Sequence, residues 1–172
     1  MAQKSCSTVI FGCGNVIMGD DGFGPAVIEE LETHALLPEN VSAVDVGTGI
    51  REYLFDYLLS PDDRPERLII LDAVDFPDRR PGDVFAIDVS SIPVKKIHDF
   101  SLHQFPSINL LVELQKHTGI HVEILAAQVE SIPEEISPGL SSAMIGAVSS
   151  ACEKIVQLLS VKRRTQGDQD DV

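Results

Sequence analysis

The sequence predicts an α/β fold, a three-layer α-β-α sandwich around a mainly parallel, five-stranded twisted sheet. Three observations predict it. Apolar runs of strand length alternate with segments of helical spacing, glycine or polar turns separate them, and their order reads β-α-β-α-β-β-α-β-α. Strands joined through helices must lie parallel, because only a crossover helix returns the chain to the same end of the sheet.

The first strand is "STVIFGC", a short β-rich run ending in glycine. Helical spacing then sets in from Phe23 to His34, with Phe23, Val27 and Leu31 on one stripe. Pro25 fits that helix only in its first turn, where its missing N–H is not needed, so the helix starts near Asp21 or Gly22. Asp20 and Asp21 therefore stand at a helix N-terminus.

"VSAVDVGTG", Val41 to Gly49, reads as a second strand closed by a glycine turn, and "IREYLFDYLLS" as the helix after it. "RLIILDAVDF", Arg67 to Phe76, is the most apolar run, as expected of a central strand covered on both faces. "DVFAIDV", Asp83 to Val89, alternates in the manner of a strand toward an edge. Helical spacing returns from about Leu102 to Lys116, with Pro106 in its first turn and His103 at or just before its start. "HVEILAAQVE", His121 to Glu130, is the fifth strand, and Leu140 to Val161 a long amphipathic helix. Residues 1–161 are thus expected to form one domain, with 162–172 a charged, disordered tail.

Composition narrows the function. With 172 residues, 44% hydrophobic and 23% charged, the chain is long enough to bury a core without disulfides or a structural metal. A formal net charge of −14 argues against a nucleic-acid partner, since phosphate binding draws on Lys and Arg. Cys6, Cys13 and Cys152 form no C-x-x-C pair, and no apolar run is long enough for a signal or a membrane span, which together point to the cytoplasm.

In sheets of this type the functional crevice lies at the carboxyl ends of the strands. The loops there carry Asp20, Asp21, Asp45, Asp72, Asp75 and His103. The first of them, "GCGNVIMGDDG", sits where a phosphate loop usually does, yet it has no lysine, lacks the third glycine of a dinucleotide fingerprint, and presents two carboxylates that would repel phosphate. One of the two aspartates is accounted for as a helix cap. Adjacent like charges are relieved by a cation, and an Asp of this loop, Asp72 and His103 make a ligand set suited to Ni, Zn, Fe or Mn with positions left open. His98 competes with His103, but its lysine neighbours suit a cation poorly. No G-x-S-x-G elbow or Cys with an activating His is present, which argues against acyl-enzyme chemistry.

These residues resemble the endopeptidases that mature nickel-iron hydrogenases. The resemblance runs through the G-x-G-N loop with its acidic pair (Gly12, Gly14, Asn15, Asp20, Asp21, Gly22, Gly24), then "DVGTG", "LIILDAVD" and "SLHQF", in order from Val9 to about Val161. The wording of "DDGFGPAVIEEL", "DFSLHQFP" and "ESIPEEISPGLS" is most similar to the branch serving the deazaflavin-coenzyme-reducing hydrogenase of methanogenic archaea. The resemblance implies that Asp21, Asp72 and His103 contact nickel and carry catalysis, with Asp21 where many members have Glu. Asp20 is then the cap and Asp21 the ligand. It further implies a substrate, the precursor of the hydrogenase large subunit, whose short C-terminal extension is removed once nickel is inserted. The nickel arrives with the substrate, and no permanently bound cofactor is expected. A chaperone that docks the same subunit without cutting it, and a peptidyl-tRNA hydrolase-like enzyme on a similar sheet, are the alternatives.

Overall fold

A computed structural model describes residues 7–34, 36–91 and 108–160. Its elements are β1 (Thr8–Cys13), α1 (Phe23–Thr33), β2 (Val41–Gly47), α2 (Ile50–Leu59), β3 (Arg67–Val74), β4 (Val84–Asp88), α3 (Ile108–Thr118), β5 (His121–Gln128) and α4 (Ser142–Ser160). The five strands form one sheet in the order β2-β1-β3-β5-β4. β1, β2, β3 and β5 run parallel, and β4 pairs antiparallel with β5 at an edge.

The layers follow from strand alternation. Ile10 of β1 and Ile69 and Leu71 of β3 face α1 and α4, meeting Phe23, Val27, Leu31, Met144 and Ile155. Val9, Phe11, Leu68 and Ile70 face the other way, toward Ile50 and Leu54 of α2 and Leu111 and Leu114 of α3. β3, covered on both faces, is buried from Leu68 to Val74. Each of its large aliphatic side chains contributes roughly 1.5–3 kcal/mol of burial.

Differences from the expected boundaries have local causes. β3 stops at Val74, two residues short of Phe76, because the Phe76 N–H donates to the Gln128 side chain at 2.8 Å rather than to a neighbouring strand. α1 is preceded by a tight 3-10 turn, Gly19–Gly22, and Pro25 sits in its first turn as expected. The expected helix start near Leu102, His98 and His103, and the tail from 161 onward, lie outside the described residues.

β1 is the point where the sheet reverses: the chain leaves it through α1 to β2 on one side and returns through α2 to β3 on the other. That divergence opens a crevice at the carboxyl ends. It also forces the start of α1 hard against two strands. A Cβ on Gly24 would lie 2.2 Å from the Cys13 carbonyl oxygen and 2.8 Å from that of Leu71. Gly14 has φ +133°, and a Cβ there would meet the Asp21 carbonyl oxygen at 1.8 Å. The glycines of the first loop thus serve close packing of the protein on itself.

Gly24→Ala is expected to destabilise the protein by about 3 kcal/mol, since backbone atoms on two strands cannot yield as a side chain can. Urea unfolding measures it, and a variant within about 0.5 kcal/mol of wild type would contradict the close approach.

Candidate active site

The crevice is a cleft of about 250 Å³ whose walls include Cys13, Asn15, Met18, Asp21, Thr48, Asp72 and Ile132. Two of the three residues singled out from the sequence, Asp21 and Asp72, face this one space. The third, His103, lies outside the described residues. Among the described residues no three His, Cys, Asp or Glu side chains gather closely enough to hold a metal ion.

Asp72 lies near the carboxyl end of β3, with only 7% of its surface exposed. Its Oδ1 accepts the Ala73 N–H at 2.8 Å. Burial raises its pKa from 3.8 to about 7, the Ala73 hydrogen bond works against that rise, and the negative charge of Asp21 adds to it. Asp21 is half-buried in the 3-10 turn, where its Oδ2 accepts the Asn15 N–H at 2.9 Å. Asn15 in turn accepts the Ile17 N–H through its Oδ1 at 3.2 Å. The G-x-G-N loop therefore closes on itself through Asp21 and holds that carboxylate toward the cleft.

Cys13 forms part of the cleft floor. Its side chain falls on the same face of the sheet as that of Asp72, one strand over. Burial pushes its thiol well above the usual range, and Asp72, Asp45 and Asp21 push it further, so it stays protonated and is no nucleophile. Its approach to three carboxylates marks how concentrated the negative charge is here.

The remaining carboxylates have other work. Asp20 is 2% exposed and caps neither the 3-10 turn nor α1 through its side chain. This corrects its reading as the cap of the helix it precedes. Asp20 instead accepts the Glu130 N–H at 2.9 Å, the Ser141 N–H at 2.7 Å and the Ser141 hydroxyl at 3.0 Å. Ser141 in turn accepts the Met144 N–H in the first turn of α4. A short parallel bridge reinforces the join, Gly19 N–H to Ser137 carbonyl and Ser137 N–H to Ile17 carbonyl, both 2.9 Å. The segment between β5 and α4 is thus fastened onto the first loop, bringing Ile132 into the cleft wall. Asp75 turns away to accept the Gln128 Nε2–H at 2.9 Å, and Asp45 accepts the Gly47 N–H at 2.9 Å beside the cleft. Sequence reasoning assigned no role to Ser141, Gln128 or Ile132. Only the acid-and-proline-rich stretch "SIPEEISPG" hinted that this loop is more than a connection.

Two carboxylates at the carboxyl edge of a reversing sheet, one on a loop with no place for phosphate and one on β3, fit a hydrolytic site. Comparison with known proteins decides which. Residues 25–158 match the model of the HycI family, hydrogenase maturation protease. The chain belongs to that family. It is 37% identical over 155 residues to MJ0253 of Methanocaldococcus jannaschii, a protein provisionally named a hydrogenase maturation protease, covering 90% of this chain and 97% of that one. It is 31% identical over 155 residues to the coenzyme F420 hydrogenase subunit delta of Methanothermobacter thermautotrophicus, covering 88% and 90%. The crystal structure of the hydrogenase maturation protease HycI from Thermococcus kodakarensis shares the fold, with a TM-score of 0.69 at 21% identity over 91% of this chain and 94% of that one.

This hydrogenase maturation protease is therefore a peptidase. The membership displaces the peptidyl-tRNA hydrolase-like alternative. No helix among the described residues is long and apolar enough to cross a membrane.

The two acids make separable predictions. A folded-state pKa above the unfolded value means that the folded protein holds the Asp72 proton longer. Its stability contribution is therefore fully present below pH 3.8 and lost as pH rises to about 7. Asp72→Asn removes that loss. The metal-free variant is expected to gain up to ~4 kcal/mol over wild type between pH 4 and pH 8, read by urea unfolding at each pH. Asp20→Ala is expected to cost about 2–4 kcal/mol, because it strands the Glu130 and Ser141 N–H groups without their acceptor. Hydrogen exchange at those two amides should rise with it.

Proposed function

We propose that this protease removes a short C-terminal extension from the nickel-loaded precursor of a nickel-iron hydrogenase large subunit, with the nickel in the substrate as the recognition element. One observation carries the reading. Asp21 and Asp72 share a cleft in which burial, with a smaller push from the charge of Asp21, raises the Asp72 pKa to about 7. Such a pair is electrostatically unfinished, and a divalent cation supplied from outside completes it. The docked precursor would be held by the metal it must contain before it is cut.

On this reading Asp21, Asp72 and His103 contact the nickel. Hydrolysis needs a group to take a proton from water as it attacks the scissile carbonyl, and the proton must reach the departing amine. Before the precursor docks the Asp72 carboxyl has a pKa of about 7; the arriving cation favours its ionised form, and that carboxylate is the one we assign as base. Nickel then aligns the bond and neutralises Asp21. Residues 1–161 act as one domain in this account, and the tail takes no part.

Incubating nickel-loaded and nickel-free precursor with the protease, and following loss of the C-terminal peptide by mass spectrometry, tests the gate. Only the loaded form is expected to be cut. Equal cleavage of both, or of neither, would overturn it, and a stable complex with an intact tail would identify a chaperone. Asp72→Asn is expected to lower kcat/KM by about 100-fold or more.

A further inference from the structure

The sheet has an open edge that leads into the cleft. β2 lies at the margin of the sheet with β1 on one side, and among the described residues nothing pairs with the other. Strand alternation fixes which groups face outward. The Asn40 carbonyl accepts the Thr8 N–H of β1, so residues 40, 42 and 44 turn toward β1 and residues 41, 43 and 45 turn away. The Val41 N–H is satisfied locally by the Pro38 carbonyl, whereas the backbone groups of Ala43 and Asp45 have no partner among the described residues. β2 carries no Lys, Arg or Pro between Val41 and Gly47, the residues that ordinarily blunt such an edge. Its carboxyl end feeds directly into the site: Gly47 accepts the Gly14 N–H at 2.9 Å, and Gly47 and Thr48 line the cleft.

A groove of about 410 Å³ flanks this edge on the α1 side. Val16, Ile28 and Leu140 make its apolar part, while Glu29, Glu32 and Asp45 supply its charge. No Lys or Arg lines it, and the carboxylates of Glu29 and Glu32 make no hydrogen bond or ion pair among the described residues. An exposed row of backbone groups asks for an extended chain, and the groove asks for apolar and cationic side chains on alternate positions of that chain.

We propose that the outer edge of β2 receives an extended segment of the substrate beside its scissile bond as an added strand, with Lys or Arg side chains directed at Glu29 and Glu32. β2 is seven residues long, so a strand laid along it spans roughly 20 Å and delivers its end to the cleft. The inference rests on the proteolytic reading above and names how the substrate chain is held.

Steady-state processing of the nickel-loaded precursor tests it. The double variant Glu29→Lys, Glu32→Lys, both exposed on α1, is expected to raise KM roughly tenfold with kcat unchanged. Ala43→Pro removes an outward N–H and is expected to act likewise, because proline is accepted at an edge position of this kind. Glu113→Lys, on α3 at the opposite face, should leave KM as it is. An unchanged KM in the α1 double variant, or an equal rise in Glu113→Lys, overturns the docking edge while wild-type cleavage upholds the protease reading. No cleavage by wild type overturns both. If Ala43→Pro fails to fold, the α1 double variant decides alone.

Discussion

The structure depends on how closely the start of α1 is driven into the carboxyl ends of β1 and β3. Gly24 packs against the Cys13 and Leu71 carbonyls, and Gly14 against that of Asp21. No side chain separates the helix from the sheet there. The loop between them has nowhere to go but over the top of the crevice, and the 3-10 turn that results sets Asp20 and Asp21 on opposite sides of the backbone. One neighbour enters the core and the other faces the cleft. In a nucleotide-binding protein a glycine loop makes room for pyrophosphate; here the same economy of side chains makes room for the protein's own carbonyls, and the carboxylate becomes the group on offer.

The burial of Asp72 follows from the same geometry. Its strand is central and covered on both faces, so a carboxyl near its end is shielded from water and reached through the cleft. In isolation that environment would favour a neutral acid, and the nearby charge of Asp21 reinforces the preference. Cys13, one strand away, experiences the same field. The site therefore stores an electrostatic tension that the folded protein supports through hydrophobic burial elsewhere.

Much of this was legible in the sequence. The continuous apolar run Leu68–Leu71 announced a central strand, the alternation in "DVFAIDV" announced an edge, and the order of elements announced parallel pairing. Asp21 and Asp72 could be placed at the carboxyl edge because strand ends are marked by glycine and polarity. What stayed hidden was long-range. Asp20 looked like the cap of its own helix because local rules are the ones a sequence displays, yet its partners are Glu130 and Ser141, over a hundred residues away. Ser141 carries no pattern that names a distant carboxylate, and Gln128 is a polar residue in an apolar strand whose reason appears only when Asp75 and Phe76 are seen beside it.

That long-range join bears on how the enzyme comes into being during synthesis. The chain is made from its N-terminus, so the acidic loop, β1 and β3 all emerge well before Glu130 and Ser141. Until those residues leave the ribosome Asp20 has no donors to meet, and the wall that holds Ile132 against the cleft is missing. A nascent or truncated chain thus lacks a formed site even though both cleft aspartates are already present. The segment before α4 is thus the piece that completes the cleft, although it is the last of its walls to be made.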